Sequence, residues 1–281
     1  MKITSLAASL TLGLASLAQT GIAADPWADQ MVNYSQGGPV GSDWVTSEPF
    51  TNPQTALGQP TRFAGTPETF GTATTPFSSA YRSYEIVSIG AGGSLTLQFA
   101  EPVVDHPLNP FGIDLLIFGN SFYSIDFGAG TATGAIDANI GAIEVSVNGV
   151  DYVPVTGGAD GKFPTVGYLD TTDPFAATAG SVLSDFTKPV NPAALANVAG
   201  LNTAQIIAAY DGSGGGSGID LAGSGLSSIS FVRISNPADS LRTIEIDALA
   251  DVQAVPEPTT IGLLVLACIG RGINARSRRS R

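Results

Sequence analysis

The sequence predicts an all-β domain, a jelly-roll-type β-sandwich with one or two short helices. Three observations predict it. Apolar residues recur at a spacing of two in several short runs, and Gly, Pro, Ser, Thr and Asn separate those runs almost everywhere. Only one stretch, 192–210, has the composition of a helix.

From Ser94 to Phe99 the apolar Leu95, Leu97 and Phe99 alternate with Ser94, Thr96 and Gln98, which predicts a half-buried strand. Ile113 to Phe118 is almost continuously apolar and reads as a strand covered on both faces. Ile143 to Val147, Asn148-Gly149 and Val150 to Val155 predict a hairpin, because Asn-Gly supplies the positive φ angles of a two-residue type I′ turn. Ile229 to Ile234 alternates as a further strand. Arg242 to Val252 closes the series, with Ile244, Ile246 and Ala248 on one face and Thr243, Glu245 and Asp247 on the other. Between them, Pro192 to Tyr210 predicts one or two short helices broken near Gly200.

The two ends differ from this middle. Met1-Lys2, an apolar run from Ile3 to about Ala18, and Ile22-Ala23-Ala24 have the order of a secretory signal peptide, with cleavage expected after Ala23 or Ala24. Segment 1–24 is therefore expected to engage the Sec translocon and signal peptidase, leaving 25–252 as the sandwich domain. In 253–281, Val255-Pro256-Glu257-Pro258 ends the foldable region, since two prolines continue neither strand nor helix. Ile261 to Ile269 follows as an apolar stretch, and then Arg271, Arg276, Arg278, Arg279 and Arg281. An apolar stretch with arginines behind it is a stop signal with its basic end in the cytoplasm. Arg271 interrupts the stretch well short of the ~20 residues needed to span a bilayer, and its snorkelling would lengthen the span.

These residues resemble the PEP-CTERM sorting signal of Gram-negative bacteria: a Pro-Glu-Pro box, a transmembrane stretch and a terminal arginine cluster. The resemblance covers about the last tenth of the chain. It implies transient residence in the inner membrane, recognition by an exosortase, removal of the tail, and delivery to the cell surface or extracellular matrix.

Charge and cysteine use narrow the function classes. Asp25 to Ala254 carries 23 acidic and six basic side chains, a formal charge of −17. Such a surface repels nucleic acid. The single cysteine, Cys268, lies in the tail, so the domain depends on core burial without disulfides.

A second resemblance rests on the order of motifs in the middle of the chain. Ala56-Leu57-Gly58-Gln59-Pro60 is followed by Ile89-Gly90-Ala91-Gly92-Gly93-Ser94-Leu95-Thr96-Leu97 and by Asp114-Leu115-Leu116-Ile117-Phe118-Gly119-Asn120. The Glu144–Tyr152 hairpin, Gly218-Ile219-Asp220-Leu221-Ala222 and Ile244-Glu245-Ile246-Asp247-Ala248 come after it. The order is similar to the discoidin or galactose-binding-like sandwich, in which a late acidic residue often joins a structural calcium. That resemblance implies a role of this kind for Glu245.

Catalytic signatures are sparse. His106, the one histidine, has no Gly-x-Ser-x-Gly elbow to serve, and one histidine without an available cysteine does not make a zinc centre. The glycines at 90–93 lead into a strand, whereas phosphate loops lead into a helix. The Asp211–Asp220 segment offers oxygen ligands on a glycine-rich backbone, as a calcium loop would, and also reads as a mobile glycine loop. Candidate calcium ligands are thus Asp211, Asp220, Glu245 and Asp247, although Glu245 and Asp247 also fit ordinary solvent-facing alternation. For a sugar, aromatic platforms with nearby amides are needed. Trp27, Tyr34, Trp44 and Phe50 are available early in the domain, then Tyr81 and Tyr84. Asn120, Phe122 and Tyr123 are the preferred ligand-binding set, because they follow a buried strand and should emerge at an edge. The expectation is a non-enzymatic surface protein that associates with exopolysaccharide. A secreted carbohydrate-active enzyme and a purely structural coat protein are the alternatives.

Overall fold

The computed structural model describes residues 25–63 and 72–252. The predicted signal peptide and sorting tail, including Val255 to Pro258 and the terminal arginines, lie outside the described residues. Among the described residues no helix is long and apolar enough to cross a membrane.

The domain is a two-sheet antiparallel sandwich. One sheet has five strands: β1 (Gln30–Ser35), β3 (Ser94–Val104), β10 (Ser228–Ser235), β7 (Gly141–Ser146) and β8 (Val153–Ala159), in that spatial order. The second has four: β2 (Val87–Ile89), β11 (Ile244–Asp251), β4 (Leu115–Gly119) and β9 (Ser217–Ile219). A separate ribbon pairs β5 (Phe122–Asp126) with β6 (Thr131–Asp137). The chain passes back and forth between the two sheets, so apart from the β7–β8 hairpin the neighbours in each sheet are distant in sequence, as the jelly-roll expectation requires. The core lies between the sheets. Leu95, Leu97 and Phe99 of β3 and Val232 and Ile234 of β10 meet Leu115 and Ile117 of β4 and Ile244, Ile246 and Leu249 of β11.

The expected strands are present, with two corrections of detail. The hairpin does not turn on two residues. Val145 pairs with Val153 and Glu144 with Pro154, one residue out of the register that an Asn148-Gly149 turn would give. Only Gly149 takes a positive φ, and the Asn148 carboxamide oxygen accepts from the N–H groups of Val150 and Asp151. Asn148 thus builds its own side-chain turn, and the one-residue shift decides which β8 residues face the core. The helical stretch is also shorter than expected. One helix, α1 (Thr203–Ala209), begins at Asn202, whose side chain and Gln205 form a reciprocal capping box; 192–200 is turns.

The outer face of the four-stranded sheet is covered too. Leu116 and Phe118 of β4 and Ala250 of β11 pack with Trp27 and Phe186, and Phe186 meets Phe118 edge-on at 5.3 Å. The glycine-rich segment 213–217 is part of this cover and is buried, so the mobile-loop expectation does not hold. Gly214 lies against the Phe186 ring and Gly216 against Phe118, where side chains would collide. Gly215 and Gly216 also hold φ angles of +90° and +89°, which favour glycine.

Candidate functional site

A cleft of about 350 Å³ opens where β4 ends and β5 begins. Asn120, Phe122 and Tyr123 all line it, so the structure brings the predicted ligand-binding set to one place. They get there because the buried strand stops at Gly119, whose missing side chain leaves room for the Asp160 carboxylate. A Cβ there would stand 2.5 Å from both Asp160 Oδ1 and the Glu245 carbonyl.

Three acidic side chains fix the loops around the cleft. Asp160 Oδ1 accepts from the Ser121 N–H at 2.9 Å. Glu85 Oε2 accepts from the N–H groups of Tyr81 and Arg82 at 2.9 and 3.0 Å. Asp43 Oδ1 accepts from Val45 N–H at 2.8 Å and Thr46 N–H at 3.1 Å, while its Oδ2 takes the Arg82 guanidinium at 2.9 Å and Ser83 N–H at 3.0 Å. Asp43 therefore ties the loop that carries Trp44 to the loop that carries Tyr81. On the far wall, Tyr123 N–H donates to the Pro76 carbonyl at 2.8 Å and fixes β5 beside Phe77.

The rim is aromatic and open. Trp44 is 72% exposed and Phe127 78%, and Phe127 stacks on Phe175 at 5.9 Å with the rings 12° apart. A large apolar area left in water at a concave site marks a place for a ligand. Polar groups lie among the rings: the side chains of Asn120, Ser79 and Ser124 line the cleft and make no hydrogen bond within the described residues. Of the other aromatic candidates, Phe50 joins the lining. Trp27 packs on Phe186, Tyr34 packs against the central core, and Tyr84 lies against the Arg82 guanidinium. Phe77, Phe127 and Phe175 complete the cleft without any local sequence signal to separate them from core aromatics.

The four candidate calcium ligands do not come together. Asp211 is exposed and pairs with Lys188 at 3.0 Å. Asp220, also exposed, follows β9 at the end where Ile219 pairs with Leu115 and Leu115 with Asp251. Glu245 sits at the opposite end of β11, opposite Ser88. Glu245 and Asp247 share a face as expected, but they are buried rather than solvent-facing, at 4% and 1% exposure. Glu245 lies against Gly41 and Ser88, and Asp247 against Thr61. Their oxygens already hold donors: the Ser88 and Thr243 hydroxyls on Glu245, and the Thr61 N–H and hydroxyl on Asp247 at 2.8 and 3.0 Å. These residues do not fit a shared cation, and among the described residues no group of three or more His, Cys, Asp or Glu side chains forms a metal cage.

The buried acids behind the cleft are strongly perturbed. Burial pushes Asp247 up to about 8 against the Thr61 hydrogen bonds, and the Glu85 charge adds to the rise. Burial, then the charge of Glu245, raises Asp160 well above the carboxylate range. Glu85 is raised by burial as well. Glu85 Oε1 and Asp160 Oδ2 have no hydrogen-bond partner among the described residues. The protonated form avoids burying an unpaired charge at those atoms. Asp43 goes the other way: burial raises it, but the Ser83, Arg82, Val45 and Thr46 hydrogen bonds outweigh that and hold it far below the usual range. His106 sits in a loop, its Nδ1 accepting from Leu108 N–H at 3.2 Å.

No family model matches the chain, and no curated protein matches it.

Proposed function

We propose that this is an exported, non-enzymatic cell-surface or matrix protein whose aromatic cleft binds polysaccharide. The observation that carries the reading is the cleft itself: exposed Trp44 and the stacked Phe127–Phe175 pair around the uncommitted side chains of Asn120, Ser79 and Ser124. Aromatic faces take up the C–H faces of sugar rings, and the amide and hydroxyls match ring hydroxyls in both donor and acceptor capacity. The delivery half rests on the sequence of 1–24 and on the PEP-CTERM-like tail, with an exosortase as the processing partner.

The test is affinity electrophoresis of the full chain in gels containing extracellular polysaccharide. Trp44→Ala and Phe127→Ser should abolish retardation, and both positions are exposed enough to leave folding intact. Unchanged retardation in both variants would place binding elsewhere and sink the cleft reading. For delivery, replacing Pro256, Glu257 and Pro258 should block tail removal and change location; unaltered processing would refute the sorting role.

A further inference from the structure

We infer that the cleft selects neutral hexopyranose polymers and rejects uronate, sulfated and phosphorylated ones. The inference rests on the glycan reading above and adds the substrate class. Among the described residues that line the cleft, none carries a charge. A carboxylated sugar entering it would give up water and find aromatic edges, hydroxyls and one carboxamide, with no guanidinium or ammonium to replace the lost hydration.

The surroundings reinforce the choice. The Arg82 guanidinium, next to the Tyr81 wall, is held by Asp43 and is only 7% exposed, so it presents little charge to a ligand. Asp126 stands exposed in the chain between the lining residues Ile125 and Phe127, and Asp173 is exposed two residues from Phe175. With −17 on the domain as a whole, an anionic polymer meets repulsion on approach as well as desolvation on arrival. Charge selection is therefore a property of the site and of its field, both pointing the same way.

The experiment is calorimetric titration of the full chain with oligosaccharides of matched length. A neutral set (β-1,3-glucan, dextran and galactan fragments) is compared with an anionic set (oligoalginate, oligogalacturonate and hyaluronan fragments), with calcium and with chelator. The expected result is a neutral oligosaccharide that binds at least about ten-fold more tightly than any anionic one, a difference of about 1.4 kcal/mol, with little dependence on salt. Ser124→Arg, which places a cation on the lining, should narrow or reverse that ratio. Tighter binding of an anionic oligosaccharide, lost in Trp44→Ala, would overturn the selectivity while leaving the glycan reading standing. Anionic binding that appears only with calcium would overturn it too. No binding from either set would overturn both.

Discussion

Asp247→Asn isolates one buried proton, and its effect can be worked from the geometry. The Asp247 carboxyl is 1% exposed on the outer face of β11, and burial pushes it up to about 8, against about 3.9 for an unfolded aspartate. The folded protein therefore holds a proton that the unfolded chain has already lost between about pH 4 and about pH 8. In that window unfolding releases a proton, so stability is full below the window and falls as pH rises through it. One group costs about 1.4 kcal/mol per pH unit; from pH 5 to pH 7 that is on the order of 3 kcal/mol. For a domain of this size the loss corresponds to a drop in Tm of roughly 5–10 °C. Asp251, raised to about 7 by burial and the Asp114 charge, and the raised Glu85 and Asp160 act in the same direction. Asp43 and Asp170, both lowered by hydrogen bonds, act only below about pH 4, where their protonation removes stability. Asparagine keeps both Thr61 contacts, accepting from the N–H and donating to the hydroxyl, but has no proton to lose. Tm measured by scanning calorimetry from pH 5 to pH 8 should fall in the parent. In Asp247→Asn it should fall less steeply, and at pH 8 the variant should match or exceed the parent. A parent Tm that stays flat or rises over this range, or an asparagine variant with the full parental slope, would refute the argument.

Three further substitutions probe packing and the loops around the cleft. Asp43→Ala removes the acceptor of four donors and leaves the buried Arg82 without its 2.9 Å carboxylate, costing on the order of 3–5 kcal/mol; urea denaturation measures the loss, and glycan titration should show weaker binding as Trp44 loses its support. Gly119→Ala forces a methyl against the Glu245 carbonyl and Asp160, a backbone clash worth about 3 kcal/mol, visible as a lower Tm. Leu97→Ala empties a fully buried site in the middle of β3 and should cost about 2–5 kcal/mol in chemical denaturation with no change in glycan selectivity.

What the sequence made legible follows from how local each signal was. β3, β10 and β11 could be read because alternation records which face meets the core, and that pattern is written within each strand. Asn120, Phe122 and Tyr123 could be placed at an edge because five buried residues, Leu115–Gly119, end just before them. Burial of Glu245 and Asp247 could not be read. An alternating acid normally means solvent, and here the contacts come from remote, non-repeating segments: Thr61 on Asp247, and Gly41 and Ser88 on Glu245. The same remoteness hid Phe127 and Phe175, which pair across the rim from distant parts of the chain. The glycine segment misled for a different reason. Glycine required for close approach to Phe118 and Phe186 has the same composition as glycine left free to move.

The placement of the cleft has a consequence for how such a protein could work while attached. β11 runs from Ile244, near the cleft, to Asp251, and β4 returns alongside it from Leu115 to Gly119. The Val252 N–H donates to the Asp114 carbonyl, just before β4, whereas Asn120, just after β4, lines the cleft. At about 3.3 Å per strand residue the two points are roughly 20 Å apart. The other end of the domain joins the same pole: Asp251 N–H donates to the Pro26 carbonyl, and Trp27 bridges to Ala250. The described chain therefore begins and ends together, on the side away from Trp44 and Phe127. The loops that shape the mouth are fixed by Asp43, Glu85 and Asp160 without help from that pole. Glycan affinity should consequently be the same before and after removal of 255–281.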